Sequence, residues 1–146
     1  MARRHLSYEI KMLRETAAAL QGKGIGPRGF RNAMLETFLI HYRNLLDFFY
    51  ADQRRTVAHD VSAADYVIDP RGWKERRPRM DREATAGRER VNAQLAHLTY
   101  RRLKYRQRNW SDRRMLRQIE ELIEQFAGQL PARRRRWFQR VIDGAA

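Results

Sequence analysis

Apolar residues along this chain recur at steps of three and four, the spacing of one helix face, and do not alternate with a period of two over a useful length. Leu6, Ile10, Leu13, Ala17 and Leu20 predict a first helix over residues 5–21, closed by Gly22. Residues 22–29 hold four glycines and Pro27 and are expected to form a connector. A second helix, residues 30–50, carries Phe30, Met34, Leu35, Phe38, Leu39, Tyr42, Leu45, Leu46, Phe48 and Phe49 around most of its circumference, which places it at the centre of a bundle. Residues 51–79 read as a long irregular connector. Ser62 and Asp65 can cap one short turn there, and Pro70, Gly72 and Pro78 prevent anything long.

A third helix, residues 80–105, would present Ala84, Val91, Leu95 and Leu98 on one face, with Asn109 beyond its end. Ser111 is a suitable N-cap for a fourth, whose stripe is Met115, Leu116, Ile119, Leu122, Ile123 and Phe126, ended by residues 128–131. Residues 132–146 form a short basic tail. No internal repeat is visible. The expectation is an all-α fold: one domain, residues 1–146, built as a four- to five-helix up-and-down bundle with its core supplied mainly by helices two, three and four.

Composition narrows the chemistry. At 146 residues the chain can bury roughly two-thirds of the surface of its unfolded form. Cysteine is absent, which excludes disulfides, thiolate catalysis and sulfur-ligated zinc, and fits a reducing, cytoplasmic setting. The basic amino terminus is followed by Glu9, Lys11, Arg14 and Glu15 rather than by an apolar core, so no secretory signal is expected. The most apolar segment, residues 34–50, carries Glu36, His41, Arg43 and Asp47, so no membrane span is expected either. Net charge is +14, which attracts polyanions: RNA, DNA or an anionic membrane face. Only Lys11, Lys23, Lys74 and Lys104 among the 31 basic residues are lysines, an arginine skew that genome composition alone could also produce.

Several motifs have a structural explanation. Gly24-Ile25-Gly26-Pro27-Arg28-Gly29 spells GxGxxG and precedes a helix, but a helix rather than a strand comes before it, so it reads as a connector and not as a dinucleotide fingerprint. His5, His41, His59 and His97 lack metal-ligand spacing, and neither a metal nor a cofactor is expected. His41, between Phe38 and Leu45, reads as a hydrogen-bonded core histidine. Arg43 lies seven residues from Glu36 and four from Asp47, so the three should form one polar stripe with ion pairs.

The segment from Arg90 to Arg101 carries sharper chemistry. Arg90 and His97 are seven residues apart, about 700° of helical rotation, so both leave one face, and Arg101 follows one turn later. Such a cationic row around an imidazole suits metal-free RNA cleavage. The histidine would exchange protons with a ribose 2′-OH or the leaving oxygen, and an arginine would stabilise the charge on phosphorus. An equally open reading makes His97 a surface or interface residue beside arginines that are abundant everywhere in the chain.

Arg90-x6-His97, inside "RVNAQLAHLTYRR", resembles the Rx4–6H motif of the HEPN superfamily. The resemblance implies a small helical bundle that forms a homodimer with the motifs facing each other, and in many members a metal-independent endoribonuclease of toxin, phage-defence or CRISPR systems. Other members only bind. In this family the residue after the arginine is usually polar, whereas Val91 stands here and Asn92 follows. A toxin setting would bring an acidic partner protein. The longer pattern of residues 30–105, through "LETFLIHYRNLLDFF", "DVSAADY" and "AHLTYRR", also resembles bacterial helical proteins, and that likeness implies no activity.

Arg101, Arg102 and Arg106, with the C-terminal run Arg133, Arg134, Arg135, Arg136 and Trp137, are the residues expected to grip a phosphate backbone while an aromatic ring stacks on bases. The alternatives are that Trp137, Phe138, Val141 and Ile142 dock on the bundle and leave the arginines solvated, or that the tail lies on an anionic membrane. No module for sequence-specific reading is present. The functional expectation is a basic helical protein that binds RNA, with Arg90 and His97 as its ribonuclease pair; the alternative is a non-catalytic nucleic-acid- or protein-binding module.

Overall fold

The computed structural model describes residues 2–22, 26–51, 61–80, 82–91 and 110–143. These form six α-helices, α1 (Ala2–Gln21), α2 (Arg28–Tyr50), α3 (Pro70–Arg76), α4 (Arg82–Val91), α5 (Asp112–Gly128) and α6 (Ala132–Ile142), with one 3₁₀ turn at Ala63–Asp65. No strand occurs among the described residues. The all-α expectation holds, and the helix count is higher than expected because the connector and the tail each contribute one more helix.

The first helix packs against the second along nearly its full length. Leu6, Ile10, Leu13, Ala17 and Leu20 are all buried, so α1 is a core element in its own right, where the sequence had assigned the core mainly to later helices. The opposing surface of α2 buries Phe38, Leu39, His41, Tyr42, Leu45, Leu46 and Phe49. Ile119, Leu122, Ile123 and Phe126 of α5 close the third side, while Met115 and Leu116 are only partly covered. From α4, Ala84 and Val91 point inward. The expected continuation of that helix past Val91, with Leu95 and Leu98, lies outside the described residues.

Far from being merely irregular, the described part of the second connector, residues 61–79, packs on the bundle. The Asp65 carboxylate accepts hydrogen bonds from the Ser62 N–H (2.8 Å) and hydroxyl (3.0 Å), which realises the expected cap. Pro70 and Gly72 limit α3 to seven residues without preventing it: Pro70 occupies the first turn, where no N–H is needed, and Asp69 accepts from the Gly72 N–H at 3.0 Å. Trp73 is 1% exposed, and its indole N–H reaches the Phe49 carbonyl at the end of α2. Arg77 donates to the same carbonyl at 2.7 Å, a cation placed where the helix leaves its last acceptors open. Phe126 sits at the hub, in ring contact with Phe48, Phe49, Tyr66, Trp73 and Phe138.

Candidate nucleic-acid interface

Helix α6 begins after Pro131 and continues the chain from α5 through a tight turn in which the Gln129 N–H bonds the Phe126 carbonyl. Its apolar residues Phe138 and Val141 are buried and Trp137 is half-buried, with edge-on ring contacts to Tyr66 and Phe138. Of the three readings of this segment, the structure shows the docking of its aromatic face on the bundle. Trp137 therefore presents its rings largely to the protein, which leaves its expected role in base stacking to whatever part of the indole remains exposed.

The arginines of α6 divide into two sets. Arg134 donates to the carbonyls of Asp65 (2.9 Å) and Tyr66 (2.8 Å) and lies over the Tyr66 ring at 5.2 Å. Arg135 donates to the carbonyls of Gly128 (2.8 Å) and Leu130 (3.3 Å). These two fasten the helix to the rest of the fold. Arg133, Arg136 and Arg140 are exposed, and their i, i+3, i+7 spacing gathers them on one face over about 10 Å of helix axis.

A further arginine fixes where that face points. From the middle of α1, Arg14 forms a two-pronged pair with Glu120 of α5, both contacts at 2.7 Å, and donates to the Val141 carbonyl at the end of α6, again at 2.7 Å. The hydrogen bonds to Glu120 raise its pKa further above the ordinary arginine value, against an opposing effect of burial. One guanidinium thus ties three helices together, a contact that no local spacing in the sequence foretells.

Several other titratable groups serve packing and helix pairing. His41 is buried, its Nδ1 lies 2.7 Å from Glu9, and its ring meets Tyr8 edge-on, as a satisfied core histidine should. Glu9 also accepts from Asn44 at 3.1 Å. The expected polar stripe on α2 is present in part. Arg43 approaches Asp47 at 3.6 Å, and Asp47 pairs more closely with Arg88 of α4, through Arg88 Nε at 2.7 Å, so the network runs to another helix rather than back to Glu36. No group of His, Asp and Glu residues able to hold a metal occurs among the described residues. No helix there is long and apolar enough to cross a membrane.

Of the proposed catalytic pair, only the backbone of Arg90 falls within the described residues, in the last turn of α4. His97, Arg101, Arg102, Arg106 and His59 lie outside them. Val91, the apolar residue beside Arg90, is 1% exposed and belongs to the core cluster, which gives a packing reason for an apolar residue at that position. Within the GxGxxG stretch, Gly24 and Ile25 lie outside the described residues, Gly26 takes a positive φ of 83°, suited to glycine, and Arg28 and Gly29 already belong to α2, so that helix starts two residues earlier than expected.

No family model matches the chain, and comparison with curated proteins and with solved structures finds no similar one.

Proposed function

We propose that this chain is an RNA-binding helical protein whose contact surface includes the outer face of α6, with Arg90 and His97 as a metal-free cleaving pair. The observation that carries the binding part is the division of labour on α6. Its apolar face and two arginines hold it in place, while Arg133, Arg136 and Arg140 form an outward row in a chain of net charge +14. Such a row on a fixed helix meets phosphates without first being ordered, and neutralising them releases counterions. The choice of RNA, the cleavage step and the homodimer rest on the resemblance of the Arg90-x6-His97 segment.

The test is a salt titration of binding to single-stranded RNA, combined with a cleavage assay in EDTA. Replacing Arg133, Arg136 and Arg140 together by glutamine should weaken binding and reduce the slope of log K against log salt by about 2, at roughly 0.7 per phosphate contact. An unchanged slope would remove α6 from the interface. Fragments with 2′,3′-cyclic phosphate ends, formed by the natural chain and not by His97→Ala, would establish the chemistry. RNA bound but left intact by the natural chain would instead favour the non-catalytic binding module.

A further inference from the structure

The C-terminal end of α1 and the opening turns of α2 and α5 enclose a cleft of about 230 Å³. Leu20, Leu35 and Trp110 supply its apolar lining, and Arg28, Arg31, Asn32 and Asp112 its polar groups. Arg28 and Arg31 lie one helical turn apart on α2, both exposed, and neither has a carboxylate partner among the described residues. Trp110, Asn32 and Asp112 are partly buried, whereas the two arginines are exposed.

This mixture has a particular ligand chemistry. Two guanidiniums within one turn can hold a phosphate in forked hydrogen bonds. An indole with two leucines offers a flat apolar shelf, which phosphate alone does not need and a heteroaromatic ring does. Asn32 can both donate and accept, and the Asp112 carboxylate accepts, which serves the edge of a base or the hydroxyls of a ribose and would repel a bare anion. The volume sits below the range usual for drug-sized ligands, which limits the occupant to a single small unit with part of it left in solvent.

We propose that this cleft binds a single nucleoside phosphate unit, with its phosphate on Arg28 and Arg31, its base against Trp110, and Asn32 and Asp112 on its polar edge. The inference builds on the RNA-binding reading for its source: the unit is one unstacked nucleotide of an RNA strand, and a free mononucleotide is the alternative source. The strand would then touch the protein at two separate places, this cleft and the outer face of α6.

The test uses the full chain and the variant carrying both Arg28→Gln and Arg31→Gln, two exposed changes that leave the core intact. Each is titrated with a labelled single-stranded hexaribonucleotide containing one 4-thiouridine, and separately with AMP and with inorganic phosphate. The expected result is at least tenfold weaker RNA binding by the variant, and a photo-crosslink in the natural chain that maps to the peptide containing Trp110 and is lost in the variant. Equal RNA affinity of the two proteins, with the crosslink elsewhere, would overturn the cleft and leave the RNA-binding reading standing. If RNA is not bound at all, that reading fails, and AMP decides the cleft: binding of AMP that depends on Arg28 and Arg31 keeps it as a mononucleotide site, and no binding of AMP overturns it. Inorganic phosphate competing as well as AMP would overturn the nucleoside part of the assignment.

Discussion

Helices α2 and α6 solve opposite problems with the same alphabet. The longer one is surrounded on most sides, buries seven side chains, and spends its polar groups inward or on neighbours: Tyr42 donates to Gln118 at 2.7 Å, and His41 meets Glu9. The shorter one buries only Phe138 and Val141, and arginines fill much of what remains. Hydrophobic burial therefore determines where α2 sits, while α6 is placed by two anchors and four hydrogen-bonding arginine–carbonyl contacts, supplemented by Arg14 from α1. So few residues of α6 are needed to hold it that Arg133, Arg136 and Arg140 stay exposed.

The most damaging way to break this contrast is to remove what both helices share. Phe126→Ala takes away the ring that touches Phe48 and Phe49 of α2 and Phe138 of α6, and should cost about 3–5 kcal/mol in a denaturant titration, lowering the midpoint of both helices together. Separate loss of the two would contradict a single cooperative core.

Arg14→Ala sharpens the contrast. It leaves Glu120 without its partner and the Val141 carbonyl without its donor, at a cost of about 2 kcal/mol for charged hydrogen bonds at a part-buried site. Hydrogen exchange should accelerate across α6 first, with the amides of α2 retaining their protection. Equal acceleration in both would show that α6 is held by its apolar anchors alone.

A smaller, pH-dependent effect is expected at α3, which lies between the two regions. The hydrogen bond from the Gly72 N–H, aided by Arg76, holds the Asp69 carboxyl below its ordinary pKa. A depressed folded-state value means that the cap stabilises the protein at neutral pH and that this contribution disappears as pH falls through the acidic range. Thermal midpoints of the natural chain and Asp69→Asn should therefore differ at pH 7 and converge toward pH 3. A gap that widens on acidification would show that the charge at residue 69 is not the source of the stabilisation.

The smallest effect on folding belongs to the solvent row. Replacing Arg133, Arg136 and Arg140 by glutamine should shift stability by no more than about 0.5 kcal/mol, since none holds a partner among the described residues. A larger loss would mean that these arginines belong with Arg134 and Arg135 as fasteners.

Much of this architecture was legible because helix periodicity is a local property. The stripes of α1, α2 and α5, the short turn capped by Ser62 and Asp65, and the connector after Gly22 all follow from spacings of three and four and from where glycine and serine stand. The role of α3 was less legible: a proline and a glycine argue against a long helix, yet Asp69 capping and the burial of Trp73 make seven residues sufficient. Within the candidate interface, the basic run of residues 133–136 was visible at once, but its four arginines look alike in sequence. Helical phase alone turns Arg134 toward Tyr66 and Arg136 toward water, and only the position of the neighbouring carbonyls makes that difference consequential.

By itself, then, the sequence determined the helical class, the boundaries of α1, α2 and α5 within a few residues, the inward orientation of His41 and the strongly positive net charge. These depend on residue type and on separations of a turn or two. The tertiary structure decided which of the described arginines of α6 are consumed as fasteners and which stay exposed, that Val91 is a core position, and that Arg28, Arg31 and Trp110 line one cleft although about eighty residues separate them along the chain. Those facts are set by the packing of α1 between α2, α5 and α6, and a packing arrangement has no local spacing through which to announce itself.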